Sequence, residues 1–270
     1  MHSPLLDEQG AWAWLLRRAA GETAPDQPEA RTPADGELTS SAQQLLSLYL
    51  PLCKPPATSL LMGQLGQSLD GRIATESGES RYINDPDGIR HLHRLRALVD
   101  AVVVGGGTAA ADNPRLTVRA VPGGNPVRVV LDPQRRLPPS LGLFSDRAAP
   151  TLRVVHRGAP QTNADENPDG VEELMLSASR GSGQWIPELV AALRARGLNR
   201  ILVEGGGLTV SRFLEAGQLN RLHLIVAPVI LGSGLPAFTL PPLHQLDDAL
   251  RPDFRRFDLG RDTLFDLALD

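Results

Sequence analysis

Two stretches of the chain place bare backbone beside side chains that can do chemistry. Residues 201–214, ILVEGGGLTVSRFL, end an apolar run in Glu204, follow it with three glycines and continue to Thr209. Residues 102–114, VVVGGGTAAADNP, repeat the arrangement with Thr108 and Asp112 behind the glycines. An apolar run that breaks at glycines and resumes as a helix-like stretch is a strand-to-helix turn. In an open α/β sheet such turns lie at the C-terminal ends of strands, where ligands bind. Glycines there let backbone N–H groups approach an anion closely, and the helix N-terminus behind them favours negative charge. A pyrophosphate suits Gly205–Thr209, with the Thr209 hydroxyl as a further donor. One such turn alone is also an ordinary tight connection; the pair marks a site.

A second polar set surrounds these turns. SLDGRIATESGESRYINDPDG, residues 68–88, is too polar and too rich in glycine for core and reads as a long loop straight after the first strand. Arg96 ends a helix face carrying Leu92 and Leu95, and Arg119 closes the run LTVR. Taken singly, both read as surface arginines. Converging with Ser80 on one mouth, they make a phosphate-monoester clamp, because the guanidinium fork matches phosphate oxygens.

The sequence also excludes chemistry. Lys54 is the single lysine among 27 basic residues, so no Walker A loop is present. The single cysteine, Cys53, cannot supply a zinc-deaminase signature or an internal disulfide, and fits a reducing cytoplasm. No G-x-S-x-G elbow occurs, and no G-x-G-x-x-G follows the first strand. His91 and His93 are two apart on an expected helix, so they point to different faces and cannot chelate together; they read as polar helix surface, and no metal is expected. A net charge of −4 gives no electrostatic reason for nucleic acid. No run of about 18 apolar residues suggests a membrane span. The first residues carry acids before their apolar part, unlike a signal peptide.

The elements that position these groups follow from periodicity. Residues 5–20 read as an amphipathic helix, 21–40 as a mobile linker rich in Pro, Ala, Gly and acids, and 41–50 as a short helix. Strands are expected at 58–66, 100–104, 127–131, 152–156, 171–176, 200–204 and 221–227. Helices are expected at 86–98, capped by Asp85 with Pro86 in first place, and at 108–112, 186–196 and 208–216. Residues 254–269 read as a hairpin turning near Gly260–Asp262. The fold class is therefore α/β: a mixed, mainly parallel sheet with helices on both faces and an antiparallel C-terminal hairpin. The chain divides into residues 1–56 and 57–270.

Five blocks, LGQSLDGRIATESGESRYI, VVVGGGTAAADNPRLTVR, NPVRVVLD, ILVEGGG and VAPVILGSG, in this order and spacing, resemble the reductase domain of riboflavin biosynthesis. That domain is the C-terminal half of the bacterial bifunctional deaminase/reductase, and the resemblance runs from residue 57 to 268. It implies a dihydrofolate-reductase-like fold, NADPH as cofactor, a homodimer, and reduction of 5-amino-6-(5-phosphoribosylamino)uracil to its ribitylamino product. Gly66, Tyr82, Thr108, Asp112 and the segment Gly206, Gly207, Leu208, Thr209 to Arg212 fall where the family contacts NADPH. Ser80, Arg96, Leu116, Arg119 and Glu204 fall where it contacts the substrate, with Asp112 and Glu204 as positioning groups in catalysis. Arg135 or Arg136, after VVLDP, is the candidate for the cofactor 2′-phosphate. The chain departs from the family with Tyr82 for a common Trp, Gln64 for a frequent Lys, and Pro133 after VVLD. The deaminase half has no counterpart here, which keeps two alternatives in view. One is a reductase of another pterin or pyrimidine; the other is a non-catalytic nucleotide-binding, dimerising module.

Overall fold

The structure is a computed structural model and describes residues 5–22, 33, 37–53, 58–80, 83–160, 170–177 and 184–269. Most of the expected linker, and Tyr82, lie outside these residues. The chain divides into two compact units, Met1–Leu60 and Leu61–Asp270. In the first, α1 (Glu8–Ala20) packs against α2 (Ser40–Tyr49). Asp7 caps α1 by accepting from the Gly10 N–H at 2.8 Å, and Gly21 ends it with φ 74°. Thr39 caps α2, and Trp12 meets Tyr49 edge-on with ring centroids 5.8 Å apart.

The second unit is built on β1 (Leu60–Ser68), β2 (Arg72–Thr75), α3 (Pro86–Leu98), β3 (Ala101–Gly105), α4 (Gly106–Asp112), β4 (Val127–Leu131) and α5 (Gly142–Ser145). It continues with β5 (Thr151–His156), β6 (Val171–Leu176), α6 (Trp185–Arg194), β7 (Arg200–Glu204), α7 (Gly207–Glu215), β8 (Arg221–Ala227), β9 (Gly234–Pro236), β10 (Asp253–Leu259) and β11 (Asp262–Ala268). Nine strands form one sheet in the order β10-β11-β8-β1-β7-β3-β4-β5-β6. The pairs β1–β8, β3–β7, β3–β4, β4–β5 and β5–β6 are parallel; β11 runs antiparallel to β8 and to β10.

Every residue of β3 and β7 is buried, as strands covered on both faces require, so their sequences are continuous apolar runs rather than alternations. Ala101, Val103, Ile201 and Val203 join α6 and α7 in the main core, where Trp185 meets Phe213 edge-on at 6.2 Å. The alternate residues of β7 face α3. No helix among the described residues is long and apolar enough to cross a membrane.

Three expectations are corrected. Residues 68–88 are not all loop: β2 lies within them and pairs antiparallel with β9. Its partner is some 160 residues away, so no local pattern announces it. Asp85 precedes α3 but makes no capping hydrogen bond; its Oδ2 accepts from the Arg261 N–H at 3.2 Å, while its own N–H donates to Asp262. His91 and His93 do face different ways, yet both are buried, 1% and 5% exposed. His91 stacks on His223 with 3.0 Å between ring nitrogens, and His93 Nδ1 accepts from the Arg119 N–H at 3.0 Å. Helix α3 is covered on both sides, which its polar sequence conceals.

Candidate active site

The two glycine turns stand side by side. The parallel register pairs Val104 with Glu204, so Gly105 and Gly205 leave adjacent strands at the same level. Gly205 has φ +89°, a conformation a side chain rarely tolerates. At Gly207 the limit is space: an added Cβ would lie 2.2 Å from the Ala237 carbonyl oxygen. The turns also brace each other. Thr108 Oγ1 accepts from the Gly206 N–H at 2.9 Å, and Thr209 Oγ1 sits 2.2 Å from where a Cβ on Gly105 would be. Each turn thus seats the threonine of the other against its glycines. One N–H expected to meet a pyrophosphate is therefore occupied by Thr108, and the Thr209 hydroxyl is turned toward Gly105. The first N–H groups of α7, at Gly207 and Leu208, have no partner inside the helix and remain suited to an anion.

Two cavities meet at these turns and share Ile73, Gly107, Thr108, Gly206 and Leu235. The smaller, about 320 Å³, extends over the ends of β4, β5 and β6, with Leu131, Pro133, Val154, Leu176 and Trp185 in its wall. The larger, about 520 Å³, extends toward β1 and α3 and carries the polar groups Gln64, Ser80, Asn84, Arg96, Asp112 and Glu204. The strand pair β2–β9 supplies Ile73 and Leu235 to both. Asp70 anchors the chain leading into β9: it accepts from the Leu231 N–H at 3.1 Å and from the Gly232 N–H at 2.7 Å. Its hydrogen bond from Ser68, with these backbone donors, lowers its pKa to about 2.

The sequence-derived residues separate between these cavities. Thr108 and Gly206 line both; Gly207, Leu208, Thr209 and Arg212 line the smaller. Gly66, Ser80, Asp112, Leu116 and Glu204 line the larger. Above Gly66 stands Asn84, whose Oδ1 would lie 2.0 Å from an added Cβ, so this glycine leaves room for a side chain of the protein itself. Leu116 is buried with φ +53°, a strained backbone for a residue with a branched side chain.

Arg96 lines the larger cavity too, but its guanidinium is engaged. Nε and one terminal nitrogen donate to the two Glu204 oxygens at 2.8 and 2.7 Å, and the other donates to the Thr117 carbonyl at 3.2 Å. Arg119 lines neither cavity; it is exposed and donates to Thr117 Oγ1. The two arginines expected to form a phosphate clamp stand apart: Arg96 is paired with the Glu204 carboxylate, an attraction strengthened by burial, and Arg119 is exposed. Burial, with the Arg96 and Arg119 guanidiniums nearby, lowers His93 to about 4. Arg135 is likewise engaged, donating to both Glu173 oxygens at 2.8 and 2.7 Å. Asn84, His156, Trp185 and Leu235 line the cavities without having been singled out from the sequence. Only Trp185, the first residue of α6, carried a local signal.

Residues 60–256 match the model of the RibD C-terminal domain. The chain belongs to the RibD C-terminal domain family. Over 209 residues it is 35% identical to the 2,5-diamino-6-ribosylamino-4(3H)-pyrimidinone 5′-phosphate reductase of Methanothermobacter thermautotrophicus, with 75% of this chain and 94% of that protein covered. It is 32% identical to riboflavin biosynthesis protein RibD of Aquifex aeolicus, over 73% of this chain and 54% of the relative. Among solved structures, the Thermotoga maritima diaminohydroxyphosphoribosylaminopyrimidine deaminase/5-amino-6-(5-phosphoribosylamino)uracil reductase superposes with a TM-score of 0.64 at 26% identity, covering 86% of this chain and 62% of that one. The chain spans about half the length of the RibD relatives it matches. The expected dihydrofolate-reductase-like α/β fold is the one these RibD C-terminal domain relatives share, and the chain is an oxidoreductase of riboflavin biosynthesis.

Proposed function

We propose that residues 57–270 reduce 5-amino-6-(5-phosphoribosylamino)uracil to its ribitylamino product with NADPH. The observation that carries the reading is the meeting of two unlike cavities at Gly107, Thr108 and Gly206. The apolar one suits the flat base of a dinucleotide, and the polar one suits a phosphoribosylaminopyrimidine. The glycine turns fit the cofactor: their close packing excludes side chains, and the first N–H groups of α7 favour a pyrophosphate. When bound, NADPH supplies the hydride, delivered to C1 of the ring-opened sugar. The residues of this chain hold and orient. Thr108 fixes the Gly206 turn; Glu204, held by Arg96, offers its carboxylate to the substrate; Asp112 stands exposed at the rim of the larger cavity, where it positions donors of the substrate. Enclosure of donor and acceptor in one groove lowers the entropy cost of bringing them together.

A second substrate has specific support. The archaeal relative of which 94% is covered carries the 2,5-diamino-pyrimidinone in its name, the form before deamination. We further read the protein as cytoplasmic and as a homodimer. Leu246, Leu250 and Phe254 are 62–78% exposed before or on the edge strand β10, the kind of apolar surface a partner copy covers.

The test is NADPH oxidation, followed by absorbance, with the uracil, the diamino-pyrimidinone and dihydrofolate. Turnover of the uracil well above the other two is expected. Preference for the diamino form moves the enzyme ahead of the deaminase step; preference for dihydrofolate, or no oxidation with any, refutes the proposal.

A further inference from the structure

The smaller cavity needs more than a slot for a base if its occupant carries a 2′-phosphate, a dianion that requires cationic or donor partners. The sequence points to Arg135 or Arg136. Arg135 is committed to Glu173 and donates in addition to the carbonyls of Ala159 and Pro160 at 3.2 and 2.9 Å. Arg136 is exposed and does not line the cavity.

His156 does. It is the last residue of β5, and the side chains beside it in the wall formed by β4, β5 and β6 are apolar. It is the one ionisable group among the described residues of that wall. Its backbone is pinned on both sides: its N–H donates to the Pro133 carbonyl at 3.0 Å, and its carbonyl accepts from the Ala159 N–H at 3.0 Å. Among the described residues, its buried Nδ1 has no hydrogen-bond partner. A buried polar atom left unpaired opposes folding, so the ring is not explained by the stability of the wall. The arginine in the lining of this cavity, Arg212, belongs to α7 on the glycine-turn side.

We propose that His156 recognises the 2′-phosphate of the bound dinucleotide and sets the preference for NADPH over NADH. The inference rests on the nicotinamide-cofactor reading above. An imidazole N–H donates to a phosphate oxygen. NADH carries only an uncharged hydroxyl at this position, so His156 discriminates by the phosphate.

The test is equilibrium binding, without substrate, of NADPH, NADH and adenosine 2′,5′-bisphosphate to the full chain and its His156→Ala and His156→Arg variants. His156→Ala is expected to weaken NADPH and the bisphosphate by about tenfold to a hundredfold, the range of a charge-assisted contact, and to leave NADH within about twofold. Retained NADH binding shows that the variant is folded. His156→Arg is expected to keep the preference for NADPH. Equal weakening of both dinucleotides, or unchanged NADPH affinity in His156→Ala, overturns the proposal. A parent protein that binds NADPH and NADH alike removes the preference and His156's role with it, and one that binds neither removes the cofactor reading itself.

Discussion

Arg96 and Glu204 form a two-pronged ion pair in the wall of the larger cavity, 6% and 4% exposed, joining α3 to the end of β7. Burial opposes the charge on Arg96, but the attraction of Glu204 and its hydrogen bonds outweigh it, so the guanidinium pKa is raised. Arg96 therefore meets the larger cavity as the partner of Glu204.

Arg96→Ala leaves a carboxylate buried alone and is expected to destabilise the fold by about 3–5 kcal/mol. Arg96→Lys keeps the charge and loses the fork. Its kcat is expected to fall equally on the phosphorylated substrate and on the dephosphorylated one. Steady-state kinetics on both decide the matter, because a direct phosphate clamp loses rate on the phosphorylated substrate only. Arg119→Ala is the contrasting case: Arg119 is exposed outside both cavities, so a direct phosphate contact predicts a rise of about tenfold or more in KM for the phosphorylated substrate, and unchanged kinetics place it at the surface.

Gly105 has ordinary extended backbone, φ −73° and ψ 147°, so only space forbids a side chain there. Gly105→Ala drives a methyl to within 2.2 Å of Thr209 Oγ1 and should displace one turn from the other, with loss of NADPH binding. Thr209→Ala removes that oxygen and leaves 3.5 Å to the Thr209 Cβ, so the double variant should recover stability and most cofactor affinity. Thermal melts and NADPH titrations of the three variants check this. Failure of the double variant to recover contradicts the mutual bracing.

Three buried histidines link stability to pH. His93 is lowered to about 4 by burial and the adjoining arginines; His91 falls well below 6.5 through burial and the nearness of His223, and His223 is lowered by burial. Each is held neutral in the folded state and takes up a proton more readily when unfolded. Their stabilisation is complete above about pH 6.5 and drains as pH falls toward 4, at up to about 1.4 kcal/mol per pH unit for each proton. Urea midpoints measured from pH 7 to 4 should fall throughout this window, and His93→Gln should flatten the slope by about one proton. A midpoint constant from pH 6.5 to 5 excludes the linkage.

In the N-terminal unit, α1 and α2 pack through Trp12 and Tyr49, so a cut at Ser41 would divide a folded pair. A chain starting at Thr58 removes both of its helices together and keeps β1 intact. It is expected to fold and to retain turnover, because every residue assigned to the site lies beyond the cut. A soluble but inactive product places the N-terminal helices in the function.

The sequence determined the parts whose signal is local. The runs ILVE and VVVG, each broken by glycines, had to be buried strands ending in tight turns, and those turns are β3–α4 and β7–α7. The hairpin after residue 253 was equally legible, because its two strands are adjacent in the chain and its burial alternates along them. The site residues also carried the family pattern, since their order along the chain is what the pattern records.

Only the tertiary structure decided which of these groups satisfy one another. Arg96 meets Glu204 across 108 residues, Thr108 meets Gly206 across 98, and His91 meets His223 across 132. Periodicity reports which face of an element is buried and is silent on what covers it, so two histidines on a polar helix looked solvated and two arginines looked available. A buried charge or polar group must be paired, and it takes the partner that the sheet order brings within reach. The turns were written in the sequence; the pairing of Arg96 with Glu204 and of Thr108 with Gly206 came from the order of the strands.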